Sequence, residues 1–139
     1  MRSSVHHLGL LVGFFLAGCS NSHEERVYPA RGQVLLENRP LAEAFVVLHR
    51  LDTEGRNLTA RTDAMGRFEL TTYSPGDGAP AGRYAATVEF RELVQEGDEP
   101  MRSGRNLLPA RYADPATSGL RCEVRAGVNQ WPAWKLERR

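Results

Sequence analysis

Few side chains in this sequence are equipped for covalent chemistry. There are two cysteines and four histidines. Cys19 closes the run Leu16-Ala17-Gly18-Cys19, directly after an apolar stretch. Cys122 lies in Leu120-Arg121-Cys122-Glu123-Val124-Arg125, where apolar and charged residues alternate. The alternation puts Leu120, Cys122 and Val124 on one face, so Cys122 reads as a small buried hydrophobe rather than a reactive thiol. His49 is in phase with Phe45 and Val47 and reads as a sheet-face residue. Catalysis would need a nucleophile, a base and an orienting group together, and the sequence assembles no such set around it. Asp52, Asp63, Asp77, Asp98 and Asp114 are scattered over turn-like segments, without a calcium-loop pattern or a His/Cys pair at metal spacing. The expectation is therefore no catalytic residue, no metal and no cofactor. The flat rings of Trp131, Tyr112 and Tyr73 could lie against a sugar face and are the candidate ligand contacts. Packing in the core and at its rim is the alternative use of the same rings.

The elements that must position these groups follow from the wider pattern. The chain has 139 residues, 41% hydrophobic and 25% charged, with a formal net charge of +1. Such a composition excludes collagen, long coiled coils and acidic disordered tails, and it fits one domain. The near-balance of charge gives no electrostatic footprint for nucleic acid, so no nucleic-acid partner is expected.

The first residues read as an address. Arg2 is the only Lys, Arg, Asp or Glu before Cys19, and an apolar run from Leu8 to Ala17 follows it. The run is about half the roughly 20 residues that a spanning helix requires. A basic start, a short apolar middle and small residues at the end describe a secretory signal peptide over residues 1–18. Leu16-Ala17-Gly18-Cys19 resembles the lipobox of bacterial lipoproteins. That resemblance implies cleavage between Gly18 and Cys19, a diacylglycerol thioether on Cys19, and acylation of the new N-terminus. Two or three acyl chains, each methylene contributing about 0.8 kcal/mol, would hold the protein on a membrane. The expected location is the cell envelope, outside the cytoplasm. Ser20 rather than Asp after Cys19 favours the outer membrane. If Cys19 carries lipid, Cys122 has no partner for an intramolecular disulfide.

Residues 19–26 are a polar tether, and the domain spans 27–139. No segment after the tether has a helical period. Short alternating runs separated by turn residues predict strands over Arg31 to Glu37, Ala44 to Leu51, Leu58 to Thr62, Arg67 to Tyr73, Arg83 to Glu92, Leu120 to Arg125 and Gln130 to Glu137. Asp63-Ala64-Met65-Gly66 predicts a tight turn, with Asp63 accepting from the backbone two residues on and Gly66 at positive φ. The polar, Gly-containing stretch Gln95 to Asn106 reads as a mobile insertion. Leu107 to Pro115 reads as an irregular crossing between sheets. Pro132 cannot donate to a ladder, which predicts an edge or a bulge there, and Trp131 is out of phase with Trp134. Seven short antiparallel strands in a β-sandwich are expected. Its core would be drawn from Val34, Leu36, Phe45, Val47, Phe68, Leu70, Tyr84, Val88, Phe90, Leu120, Val124 and Trp134.

Three segments resemble the carboxypeptidase regulatory-like or transthyretin-like β-sandwich. They are Arg31-Gly32-Gln33-Val34 through Asn38-Arg39-Pro40-Leu41 to Val47, the hairpin Thr62-Asp63-Ala64-Met65-Gly66-Arg67-Phe68, and Pro80-Ala81-Gly82-Arg83-Tyr84. Asn38 stands where that family more often has glycine. Gly76 to Pro80 and Leu108 to Leu120 are also similar to small lipoproteins of planctomycete bacteria. The resemblance implies a prealbumin-like, Ig-like architecture at an extracytoplasmic site and no common activity. The transthyretin-like group includes a hydrolase of 5-hydroxyisourate with several histidines and a Tyr-Arg-Gly-Ser-type tail; this chain reads Leu136-Glu137-Arg138-Arg139 there. The functional expectation is a non-catalytic, lipid-anchored envelope module that binds or displays. Its partners would be the membrane, through Cys19, and an unidentified envelope protein or glycan. A carbohydrate-binding module is the alternative, and a small hydrolase the weaker one.

Overall fold

The computed structural model describes residues 23–139. The expected signal segment 1–18, the expected lipidation site Cys19 and residues 20–22 of the expected tether lie outside the described residues. From Val27 onward the chain is all-β. In chain order come β1 (Val27–Tyr28), β2 (Ala30–Leu36), β3 (Arg39–Pro40), β4 (Phe45–Arg50), β5 (Leu58–Arg61), β6 (Arg67–Glu69) and β7 (Ala79–Pro80). The series continues with β8 (Gly82–Glu89), β9 (Arg91–Glu96), β10 (Glu99–Asn106), β11 (Leu120–Val124), β12 (Asn129–Gln130) and β13 (Trp134–Leu136). One turn of 3-10 helix occupies Ala110–Ala113, and no α-helix occurs among the described residues.

Two sheets share one apolar core. The first is antiparallel in the order β11-β8-β4-β5. The second is centred on β2, which pairs antiparallel with β3 and β6 and parallel with β12 and β13. The parallel pairing departs from the all-antiparallel expectation. It arises because β12 and β13 return to β2 across a long stretch of chain, as parallel neighbours require. Val34, Leu36, Phe68, Trp134 and Leu136 of the second sheet and Val46, Leu48, Tyr84, Val88 and Val124 of the first belong to one buried cluster. Each fully buried Val or Leu contributes about 1.5–3 kcal/mol relative to exposure. The arrangement is consistent with a β-sandwich.

Register along β4 corrects the expected core. Phe45 is 41% exposed, while Val46 and Leu48 are fully buried. Phe45 faces Arg61 on one neighbour and Glu89 on the other. Phe45-Val46-Val47-Leu48 is apolar at every position, so no alternation marks which face turns inward. The choice of face is made by the pairing with β5 and β8.

The stretch Gln95 to Asn106 is also not an irregular insertion. It forms most of an antiparallel hairpin, β9 with β10, whose two-residue loop is Gly97-Asp98 between the paired Glu96 and Glu99. Gly97 sits at φ 65°, as the first position of a Gly-X hairpin loop allows. Its faces are mostly polar, Leu93 and Met101 stay exposed and Val94 is half-buried, so hydrophobic periodicity could not reveal it. Ion pairs Arg105–Glu92 at 2.9 Å and Arg102–Glu43 at 2.6 Å tie it together and to the sheet end.

At Pro132 the expected irregularity is a one-residue bulge. Gln130 pairs with Arg31 and Trp134 with Val34, so Trp131, Pro132 and Ala133 oppose only Gly32 and Gln33. Extra residues of this kind re-aim side chains. Here the bulge turns Trp131 onto Trp134.

Candidate binding groove

The hairpin Arg61-Thr62-Asp63-Ala64-Met65-Gly66-Arg67 forms one wall of a broad concavity. Asp63 Oδ1 accepts the backbone N–H of Met65 and of Arg67, each at 2.9 Å. The Gly66 N–H donates to the Asp63 carbonyl at 2.9 Å. Gly66 has φ 72°, and a Cβ there would lie 2.4 Å from the Val34 carbonyl oxygen, so only glycine suits both the turn and the approach to β2. Thr62 is buried, a role its sequence position did not advertise. Its hydroxyl donates to the Leu41 carbonyl at 2.6 Å and accepts the Ala44 N–H at 2.8 Å. The hairpin is thereby fixed at both ends, and Arg61 and Arg67 reach the groove from a rigid base.

The floor and far wall are aromatic. A Cβ on Gly32 would lie 2.5 Å from the Phe68 ring, so Gly32 lets that ring close over β2. Phe68 contacts Trp134 and Trp131 with centroids 5.2 and 6.4 Å apart. Trp131 stacks on Trp134 at 6.1 Å and 13°. Trp134 is only 9% exposed and belongs to the core; Trp131 is partly exposed and lines the groove. Its indole Nε1–H donates to the Glu123 carbonyl at 3.1 Å. The two tryptophans are thus stacked one behind the other, not laid side by side as an open platform.

The groove encloses about 820 Å³ and brings Arg31, Arg61 and Arg67 beside Gln33, Gln130 and Trp131. Arg31 pairs with Glu69 at 3.0 Å on the half-exposed rim, an interaction worth about 0–1 kcal/mol. The volume lies within the range of small-molecule sites, with polar groups outnumbering apolar wall.

The other candidate rings lie elsewhere. Tyr73 is 43% exposed and lines a separate concavity of about 260 Å³ with Glu25, Arg50 and Tyr84. Its hydroxyl accepts the Glu25 N–H at 2.9 Å. Glu25 also pairs with the partly buried guanidinium of Arg50 at 2.6 Å, so the segment before β1 is bound to the domain there. That hydrogen bond, against the opposing effect of burial, holds Arg50 above its ordinary pKa. Tyr112 is 6% exposed and packs in the core. Its hydroxyl accepts from Glu137 N at 2.9 Å and Arg111 Nη2 at 3.0 Å. The structure therefore does not bring Trp131, Tyr73 and Tyr112 together.

His49 Nε2 lies 3.1 Å from the Thr87 hydroxyl on the outer face of the β4–β8 pair, and it lines neither the groove nor the Tyr73 concavity. Cys122 packs against the core, and burial pushes its thiol up to about 12. Asp77 Oδ1 accepts from Thr72 N, and Oδ2 from Tyr73 N and Ser74 N, at 2.8–2.9 Å. Burial raises that carboxyl, but the three N–H donors together hold it below the ordinary carboxylate value. Among the described residues no group of three or more His, Cys, Asp or Glu converges as a metal site would.

No family model matches the chain, and no curated protein does. Among solved structures it is similar to a 9R-lipoxygenase from Cyanothece PCC8801, with 18% identity and a TM-score of 0.43. The likeness covers 80% of this chain and 16% of that one. At this level it establishes neither a shared fold nor a shared activity.

Proposed function

We propose that this chain is a lipid-anchored, non-catalytic binding module of a bacterial cell envelope, folded as a transthyretin-like β-sandwich. The anchor is supported by Leu16-Ala17-Gly18-Cys19 behind a short apolar run, and Ser20 supports the outer membrane. The fold reading is supported by two sheets sharing one core and by the turn chemistry of Asp63 and Gly66, which matches the hairpin of that family. The observation that carries the binding role is the groove itself. It offers guanidinium and amide groups and one indole, the equipment of recognition. No cysteine, serine or histidine lines it.

The test is intact-mass analysis of membrane-extracted protein with palmitate labelling. A chain that begins at Cys19 and carries lipid, lost in Cys19→Ser together with membrane retention, is the expected result. An unprocessed, unlabelled polypeptide would overturn the anchor. The narrower reading, a carbohydrate-binding module, is favoured by the exposure of Trp131 into a polar groove. Flat apolar rings suit the faces of sugars, and the surrounding donors suit their hydroxyls.

A further inference from the structure

We infer that the groove between the Arg61–Arg67 hairpin and Trp131 takes a saccharide that carries an oxyanion. Arg61 and Arg67 engage the anionic group, and the Trp131 indole lies against the sugar ring. This deepens the binding-module reading and rests on it.

Charge is the first argument. The groove holds Arg31, Arg61 and Arg67 against Asp63 and Glu69. Glu69 is already paired with Arg31 at 3.0 Å. The Asp63 carboxylate is turned into its own hairpin, where Oδ1 accepts two backbone N–H groups. Among the described residues, neither Arg61 nor Arg67 is in an ion pair. Two guanidinium groups thus line one groove without an ion-pair partner among the described residues. Each presents a planar fork of donors that matches a carboxylate or a sulfate in two-point contact.

Rigidity is the second. The Asp63 carboxylate holds the N–H of Arg67 itself, and the Thr62 hydroxyl anchors the residue after Arg61. The roots of both side chains are fixed before any ligand arrives, which lowers the ordering cost of binding.

The third is the match of surfaces. A free inorganic anion would leave the indole unused, and a neutral sugar would leave the two cations unengaged. An aliphatic ligand would leave the guanidinium and amide groups of the lining without partners. A hydroxylated ring bearing an oxyanion uses the indole, the Gln33 and Gln130 amides, and the arginines together.

The test uses the detergent-solubilised full chain and three probes: trigalacturonate, a sulfated maltotriose and neutral maltotriose. Binding is read by calorimetry and by intrinsic tryptophan fluorescence. The expected result is that at least one acidic probe binds roughly tenfold or more tighter than maltotriose, the margin of one charge-assisted hydrogen bond. Which probe wins identifies carboxylate or sulfate as the source of the anion. Arg61→Gln and Arg67→Gln should each weaken acidic binding by roughly tenfold, with unchanged thermal melting because both residues are at the surface. Acidic and neutral probes binding alike, or arginine variants binding as wild type, would overturn the inference while leaving a saccharide module standing. Failure of all three probes would also overturn it. In that case the palmitate and mass measurements still decide the anchored-module reading separately.

Discussion

The indole of Trp131 lies over that of Trp134, centroids 6.1 Å apart and planes 13° from parallel, although residues three apart on a regular strand face opposite ways. The Pro132 bulge reconciles the two. It makes one tryptophan a core residue and the other a groove residue, and their mutational signatures should differ accordingly. Trp134→Ala should destabilise the fold by about 3–5 kcal/mol, as for other buried aromatic truncations. Trp131→Ala should cost less, about 1–3 kcal/mol, because its ring is only partly buried against the cluster. Urea unfolding of both variants checks this. Equal losses would mean that Trp131 is as much a core residue as Trp134.

Gly32 and Phe68 form a complementary pair. A Cβ at Gly32 would meet the Phe68 ring at 2.5 Å. Gly32→Ala should therefore cost about 1–3 kcal/mol, as overpacking does. Combining it with Phe68→Leu should recover part of the Gly32→Ala penalty, giving a coupling of about 0.5 kcal/mol or more. The double-mutant cycle, measured by denaturation, has a clear contrary outcome: additive losses would mean that the two sites do not share this space.

Legibility in the sequence varied with the kind of signal. Turn chemistry was readable, because Asp63 and Gly66 act through their own backbone and no distant contact can override that. The bulge was readable for the same reason, since Pro132 lacks an N–H. The face of β4 was not, because Phe45-Val46-Val47-Leu48 offers four apolar side chains in a row and long-range pairing chooses among them. The β9–β10 hairpin was hidden by its polarity: it is held by backbone ladders and ion pairs such as Arg105–Glu92, which leave no hydrophobic period. Of the groove's lining, only Trp131 was legible as a candidate ligand contact. Arg61 and Arg67 carry no local mark, and they meet because the Asp63 turn folds β5 toward β6. The buried hydrogen bonds of Thr62 were equally unmarked, since their partners at Leu41 and Ala44 lie some twenty residues away.

Asp77 should make the Gly/Pro loop sensitive to acid. Its carboxyl is held below the ordinary value in the folded protein despite the opposing push of burial. A lowered folded-state pKa contributes stability that is present above the unfolded value near 3.9 and lost as pH falls through the folded one. Stability should therefore drop on acidification below about pH 4. Asp77→Asn should flatten that part of the profile while costing about 1–2 kcal/mol at neutral pH, because the weaker amide acceptor replaces a carboxylate under three N–H donors. Chemical denaturation from pH 2 to pH 7 decides it. An unchanged acid slope in the variant would remove Asp77 from the account.

Cys122 provides a chemical readout of the sheet-on-sheet core. Burial pushes its thiol up to about 12, and it packs beside Leu120 against the buried cluster. At pH 8 a thiol with that pKa is ionised about one part in ten thousand, against about a quarter for an ordinary cysteine. Since only the thiolate reacts, iodoacetamide should label the native protein about a thousandfold more slowly than the urea-unfolded chain. In the anchored protein proposed above, Cys19 is a thioether and does not react, so the unfolded wild type should take up one equivalent. The Cys19→Ser variant should do the same, whereas Cys122→Ala should take up none. Rapid labelling of Cys122 in the native state would place its sulfur in solvent and contradict the packing of β11 on the core. Two equivalents in unfolded wild type extracted from membranes would instead show a free thiol at Cys19 and remove the anchor.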